Sequence, residues 1–220
     1  MNNRITIIGC GLSGMITALC LAARGINSTI IEHQNIDNQS FFNDIRTTAL
    51  TESSKKFFDD IGIWNEIAKI SGPINDIYVA DNKASQMLHF ASNELKKTQV
   101  LGYLVENKEF KKSLLTHVLV NKHINIIDNS RYEVKENSNN KCILTLNETD
   151  HECDLLIVCD GGNSSTRQKY FSSETNKFYS QYALTFIVQH EKPHEGTAVE
   201  HFMPTGPFAI LPLKNQHFSS

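Results

Sequence analysis

Nowhere in this sequence do lysine and arginine gather into a block. The 21 basic residues stand against 24 acidic ones, mixed along the chain, for a formal net charge of -3. A nucleic-acid surface needs a basic stripe or patch, so that class of partner is excluded. The five cysteines, Cys10, Cys20, Cys142, Cys153 and Cys159, are odd in number and never fall in a C-x-x-C spacing. They offer neither a disulfide frame nor a zinc site, and read as reduced, mostly buried thiols of a cytoplasmic protein. His190, His194 and His201 share one region without a zinc-binding spacing, and no metal is expected. No Ser-His-Asp order is visible, so Ser13, Ser164 and Cys10 are not read as nucleophiles. No segment reaches the ~18 consecutive apolar residues of a membrane helix, and neither an amphipathic anchor, an internal repeat nor a low-complexity tract is evident.

Hydrophobic residues make up 40% of the 220-residue chain and charged residues 20%, enough to build a core in one ordinary domain or two small ones. The N-terminal stretch is apolar, but glycines at fixed spacing and two changes of periodicity set it apart from a signal peptide. Residues 4–8 form a short β-branched run suited to a buried parallel strand. A glycine turn at residues 9–14, a helix over residues 15–24 closed by Gly25, and a second strand at residues 28–32 follow. Further on, helices are expected at residues 48–61, 63–70 and 106–121. Strands are expected at residues 77–80 and 87–90, split by a turn at residues 81–83. A small meander is expected from residues 124–127, 131–134 and 142–146, with a turn at residues 138–140. Residues 155–159 read as a second buried parallel strand, and residues 184–189, 198–203 and 208–213 as strands near the C-terminus.

The turn Gly9-Cys10-Gly11-Leu12-Ser13-Gly14 has the spacing G-x-G-x-x-G. Alone that is a weak signal. Here it follows a strand, opens a helix, and precedes a strand ending in Glu32, eighteen positions after Gly14. That context marks a dinucleotide-binding βαβ unit. Gly9 permits the tight turn, Gly11 lets backbone approach a pyrophosphate, and Gly14 allows close packing of helix on sheet. Leu12 and Ser13, in the same turn, are read with the glycines as cofactor-binding, and the free N–H groups and positive end of the helix that follows suit phosphate. Glu32 is placed to accept from ribose hydroxyls, which disfavours a 2′-phosphate. The fingerprint does not separate NAD from FAD.

Three later segments bear on that choice: Arg46-Thr47-Thr48-Ala49-Leu50, Tyr103-Leu104-Val105-Glu106-Asn107, and Asp160-Gly161-Gly162-Asn163-Ser164-Ser165-Thr166-Arg167, which is D-G-x-x-S-x-x-R. With the strings Phe202-Met203-Pro204-Thr205-Gly206-Pro207 and Leu211-Pro212-Leu213, the sequence resembles the aromatic-hydroxylase flavoproteins of ubiquinone biosynthesis, over essentially its whole length. The resemblance implies an α/β fold. A Rossmann-like FAD-binding domain (residues 1–73 and 101–178) would be interleaved with a β-rich, incomplete substrate domain (residues 74–100 and 179–220). It implies FAD as cofactor, with Arg46 near the isoalloxazine end, and NAD(P)H as a transient electron donor. It implies that the Asp160-Gly161 segment serves both, and that Pro204 and the Gly206-Pro207 turn shape the substrate-side wall. Arg167 either pairs with Asp160 or meets the nicotinamide cofactor's pyrophosphate. Asn107 either contributes to the cofactor site or caps the helix that follows it.

The activity the resemblance implies is hydroxylation of a polyprenylated phenol, one atom of O2 entering the ring and the other leaving as water. The flavin carries that chemistry, and no catalytic side chain is expected. A lipid-soluble substrate suggests contact with the inner membrane surface or a ubiquinone-biosynthesis complex. The family's third motif, of G-D-A-x-H type, is expected beyond the Leu-Pro-Leu string, yet the sequence stops at Ser220. The expectation is therefore about the first half of an enzyme, with an exposed sheet edge, needing a complementing C-terminal fragment for activity. The alternatives are an inactive remnant and another FAD- or NAD-dependent oxidoreductase.

Overall fold

The computed structural model describes residues 4–82, 86–95, 99–138, 141–170, 177 and 179–220. In chain order it begins with strand β1 (Ile5–Ile8), helix α1 (Leu12–Ala22), β2 (Ser28–Ile31), β3 (Thr47–Leu50), α2 (Glu52–Asp60) and α3 (Trp64–Ile70). Strands β4 (Ser71–Ile74), β5 (Asp76–Asp81), β6 (Leu88–Ala91) and β7 (Gly102–Glu106) follow, then helix α4 (Asn107–Leu119). Next are β8 (Ile124–Ile127), β9 (Tyr132–Asn137), β10 (Cys142–Leu146), β11 (Thr149–Cys153), β12 (Leu155–Val158) and α5 (Ser165–Tyr170). The last strands are β13 (Val188–Gln189), β14 (Thr197–Met203), β15 (Gly206–Ile210) and β16 (Phe218–Ser219). Two compact units result: Met1–Asn43 with Lys111–Tyr182, and Asp44–Phe110 with Ala183–Ser220.

In the first unit a parallel sheet runs β12-β1-β2-β8. Its register sets Ile7 opposite Ile30 and Ile8 opposite Ile31, so alternation sends the two pairs to opposite faces. Ile8 and Ile31 pack with Val134, Cys142, Leu144, Leu146 and Cys153 of the antiparallel meander β9-β10-β11. Ile7 and Ile30, fully buried, are left for the face that the crossover helix α1 covers with Met15, Ala18, Leu19 and Ala22. The meander's second hairpin turns through Asn147 and Glu148, both at positive φ (45° and 72°), the conformation that matches strand twist in a two-residue turn.

The second unit holds an antiparallel sheet β3-β7-β4 and a mixed sheet β15-β14-β5-β6 in which β14 and β5 run parallel. Its core gathers Ile74, Leu104, Ala198 and Leu213. Helix α2 starts where Thr51 accepts a hydrogen bond from the Ser54 amide (3.3 Å).

Several expectations need correction. The helix expected from residue 48 begins only at Glu52. Thr47–Leu50 is strand β3, pairing Thr48 with Val105 and Leu50 with Tyr103, because two β-branched residues in sequence fit a ladder better than a helix. Residues 124–127 do not join the meander. They form β8, parallel to β2 with Ser28 opposite Ile124, and β11 takes the third place in the meander. Strand β12 is not fully buried: it pairs with β1 at the end of the sheet and leaves Leu155 51% exposed. Of residues 184–189 only Val188–Gln189 forms a strand, paired with the two-residue β16, and residues 208–213 pair as β15 only as far as Ile210. The turns expected at residues 81–83 and 138–140 lie partly outside the described residues. By compactness alone, residues 44–73 and 101–110 fall with the second unit.

Candidate dinucleotide site

The first unit carries a cleft of about 220 Å³ at the C-terminal ends of β1, β2 and β12, where parallel α/β sheets bind their ligands. Gly9, Gly11, Glu32, Asp160 and Gly161 line it together.

The turn that makes the cleft is sterically determined. Gly9 has φ +96°, and a Cβ there would lie 2.5 Å from the Cys159 carbonyl oxygen. A Cβ on Gly14 would lie 1.9 Å from the Gly9 carbonyl oxygen, so the start of α1 rests directly on the turn. Gly11 differs: nothing lies within 4 Å of where its Cβ would be. That glycine is not required by the protein's own packing, and the space it leaves opens on the cleft. Gly11 is also the helix N-cap, with no side-chain cap and no acid in the first turn. The first intrahelical bond at this end runs from the Met15 amide to the Gly11 carbonyl (3.0 Å). The amides of Leu12, Ser13 and Gly14 precede it and have no intrahelical acceptor to meet.

Glu32 is 5% exposed at the end of β2. One carboxylate oxygen accepts from the Cys10 amide (2.7 Å), the other from the Gln34 amide (2.9 Å), with His33 Nδ1 at 2.8 Å. Fixed on both sides, the carboxylate faces the cleft with its remaining lone pairs. Burial, together with this carboxylate, pushes the Cys10 thiol up to about 12, so it stays a neutral packing group.

Asp160 accepts a hydrogen bond from the Tyr132 hydroxyl (3.2 Å). Arg167 turns back on its own loop, donating to the Gly161 carbonyl (3.3 Å) and the Gly162 carbonyl. Its amide is held by Ser164 Oγ (2.9 Å), a buried N-cap for α5. Three cleft residues carried no sequence signal: Tyr132 from β9, Lys111 from α4, and Phe41. Lys111 Nζ donates to the Phe41 carbonyl (2.6 Å) and sits 3.3 Å from the Phe41 ring centroid, a fixed cation in a cleft that holds two acids.

Arg46 and Asn107 belong to the second unit. Arg46 grips Asp44 with Nε (2.8 Å) and an η nitrogen (2.7 Å), its side chain 72% exposed. Asn107 is 6% exposed; it donates to Asp44 (3.1 Å) and accepts from Thr48 Oγ1 (2.6 Å), bracing the same turn. The Arg46 guanidinium, above all, holds the Asp44 carboxyl well below the usual carboxylate range, with Asn107 assisting against the opposing effect of burial. A folded-state value that is depressed contributes stability above the unfolded value, near 4, and loses it as pH falls. Asp44→Asn should therefore flatten the acid limb of a urea-midpoint profile below about pH 4. At neutral pH it should cost no more than about 1 kcal/mol, because solvent screens the exposed Arg46.

His190, His194 and His217 lie close, with ring centroids 5.9 Å and 6.4 Å from that of His190. They serve as local ties: His194 accepts from the Gly196 amide (3.0 Å) through Nδ1 and reaches the Leu213 carbonyl (2.9 Å) through Nε2. No helix among the described residues is long and apolar enough to cross a membrane.

The cleft fits a dinucleotide. Space at Gly11 is reserved by the absence of a side chain, uncapped amides stand at a helix start, and a fixed carboxylate stands at the end of the neighbouring strand. Comparison with known proteins agrees. The chain is 30% identical over 217 residues to the ubiquinone hydroxylase UbiL of Rhodospirillum rubrum, covering 98% of this chain and 50% of that protein. It is 26% identical over 216 residues to the 3-demethoxyubiquinol 3-hydroxylase of Escherichia coli, covering 95% of this chain and 54% of that one. The chain thus spans about half the length of these curated relatives. In fold it is similar to Klebsiella pneumoniae HpxO complexed with FAD and uric acid, with TM-score 0.74 and 14% identity over 99% of this chain and 55% of that one. It is equally similar to p-nitrophenol 4-monooxygenase PnpA from Pseudomonas putida, with TM-score 0.74 and 14% identity over 99% of this chain and 57% of that one. Residues 3–219, nearly the whole sequence, match the FAD binding domain family, and the chain belongs to it.

Proposed function

We propose that this chain is the cofactor-binding part of an FAD-dependent aromatic monooxygenase that hydroxylates a polyprenylated phenol in ubiquinone biosynthesis, using NAD(P)H and O2. The observation that carries the proposal is the similarity to ubiquinone hydroxylases over 98% of the chain. FAD, when bound, supplies the redox and oxygen-transfer chemistry.

The protein's own residues bind and orient. The Leu12 and Ser13 amides and the bare Gly11 backbone receive the pyrophosphate, with Gly9 and Gly14 setting the turn that presents them. Glu32 holds the ribose hydroxyls of the ADP half, and Lys111 adds a cation beside the acids. Asp160 and Gly161 meet the cofactor's polar chain. Arg167 acts by shaping that loop through the Gly161 and Gly162 carbonyls rather than by reaching a phosphate. Arg46, with Asn107 behind it, is assigned to the isoalloxazine end. Turnover is proposed to require a second polypeptide segment matching the other half of the relatives, with substrate drawn from a membrane surface.

The test is to purify the chain, add FAD, and follow flavin absorption and NAD(P)H oxidation with and without a short-chain polyprenylphenol. Bound flavin is expected, with substrate-stimulated oxidation appearing once a segment matching the other half of the relatives is present. Failure to bind FAD at any concentration overturns the proposal. Bound flavin that never oxidises NAD(P)H, even with a segment matching the other half of the relatives present, favours a binding-only role.

A further inference from the structure

We propose that Tyr132 is a positioning residue for the cofactor. Its hydroxyl, supplied by the β9–β11 meander, holds the Asp160 carboxylate in the orientation that meets the polar chain of FAD. The inference rests on the cleft being the FAD site and adds to it a tether from a part of the chain that carries no fingerprint.

Tyr132 opens β9, opposite Leu146, and its ring packs against the core that joins the meander to the parallel sheet. Its hydroxyl meets Asp160 Oδ2 at 3.2 Å, the hydroxyl of Thr166, which is 6% exposed, and the Ser165 side chain. A phenol has one proton to give, and an ionised carboxylate can only accept. The proton of Tyr132 therefore goes to Asp160, and the Tyr132 oxygen accepts from Thr166. The direction of the chain is fixed: Thr166 to Tyr132 to Asp160. Burial raises the Tyr132 hydroxyl above its ordinary value, which keeps the donor protonated.

The loop needs such a tether. Gly161 has φ +89°, nothing lies within 4 Å of the Cβ positions of Gly161 and Gly162, and Asp160 is the residue just before them. Arg167 and Ser164 hold the backbone of this loop from within. Tyr132, itself bonded by Thr166, holds the carboxylate. Two separate clamps on one short segment point to an orientation that matters for binding, since preorganised groups cost less to order when a ligand arrives.

The test measures FAD and ADP dissociation constants for the wild-type chain, Tyr132→Phe, Asp160→Asn and the double variant. ADP lacks the ribityl chain and so reports the glycine turn and Glu32 alone. Tyr132→Phe keeps the ring and its packing and should weaken FAD about tenfold, the scale of one hydrogen bond to a charged group. ADP affinity should stay unchanged. The double variant should bind FAD no more weakly than Asp160→Asn alone, because Tyr132 acts through Asp160. If Tyr132→Phe does not fold, Thr166→Val is measured instead, with a smaller loss in the same direction. Unchanged FAD affinity, equal losses for FAD and ADP, or additive losses overturn the role of Tyr132 while the FAD reading stands. A wild-type chain that binds neither ligand overturns both.

Discussion

Replacing Gly14 by alanine is expected to remove roughly 3 kcal/mol of folding stability, at the upper end of what overpacking costs. The added methyl would lie 1.9 Å from the Gly9 carbonyl oxygen and 3.0 Å from its carbon. Both are backbone atoms of a turn whose own conformation is fixed, since Gly9 is itself hemmed in by Cys159. Neither side can give cheaply, so α1 must lift from the turn. That would withdraw Met15, Ala18 and Leu19 from the sheet and move the amides away from the cleft. Against a typical total of about 5–15 kcal/mol this is a large fraction. The measurement is urea unfolding, where a lower midpoint at unchanged slope is expected. Gly25 is the control. It has φ +70° with nothing near its Cβ, so alanine there should cost only the left-handed backbone penalty of about 1–2 kcal/mol.

Gly11→Val should do the opposite. Its Cβ enters open space, and with φ -76° the backbone suits any residue, so the loss of stability should be only that of an apolar residue replacing glycine at an N-cap, about 1 kcal/mol. FAD affinity should fall by roughly a hundredfold, because the side chain fills the approach a pyrophosphate needs; that is about 2.7 kcal/mol. The pair separates the two reasons a glycine can stand in this turn: on the proposed reading, Gly14 serves the fold and Gly11 the ligand.

How much could be read beforehand depended on whether the signal was local. The βαβ start was legible because Ile5–Ile8, the glycines and Ser28–Ile31 each carry their own local cue, and Glu32 was legible by its spacing. Strand β8 was misplaced because the apolar run Ile124–Ile127 says nothing about its partner. Only the tertiary register with β2 puts it in the parallel sheet. Strand β3 was missed because Thr48 to Leu50 continue in helical phase with α2, and the true start is marked only by the Thr51 cap. Residues 184–187 alternate like a strand, yet a strand needs an edge to pair with, and the two-residue β16 meets only Val188 and Gln189. Tyr132, Lys111 and Phe41 could not be found from motif spacing. They come from three separate stretches of chain, and only the fold brings them to the Asp160 loop and the glycine turn. For Arg167, D-G-x-x-S-x-x-R spacing identified the residue but not its partners, which include the carbonyls of its own loop.

The glycine turn is proposed to keep open a place for FAD that the fold itself does not use. Equilibrium titration of FAD into the wild-type chain and Gly11→Val, each shown folded by a cooperative urea transition, tests it most directly. Saturable one-to-one binding by the wild-type chain with a roughly hundredfold loss in the variant is the predicted result. Equal affinity in the two folded proteins, or no binding by the wild-type chain, would contradict it.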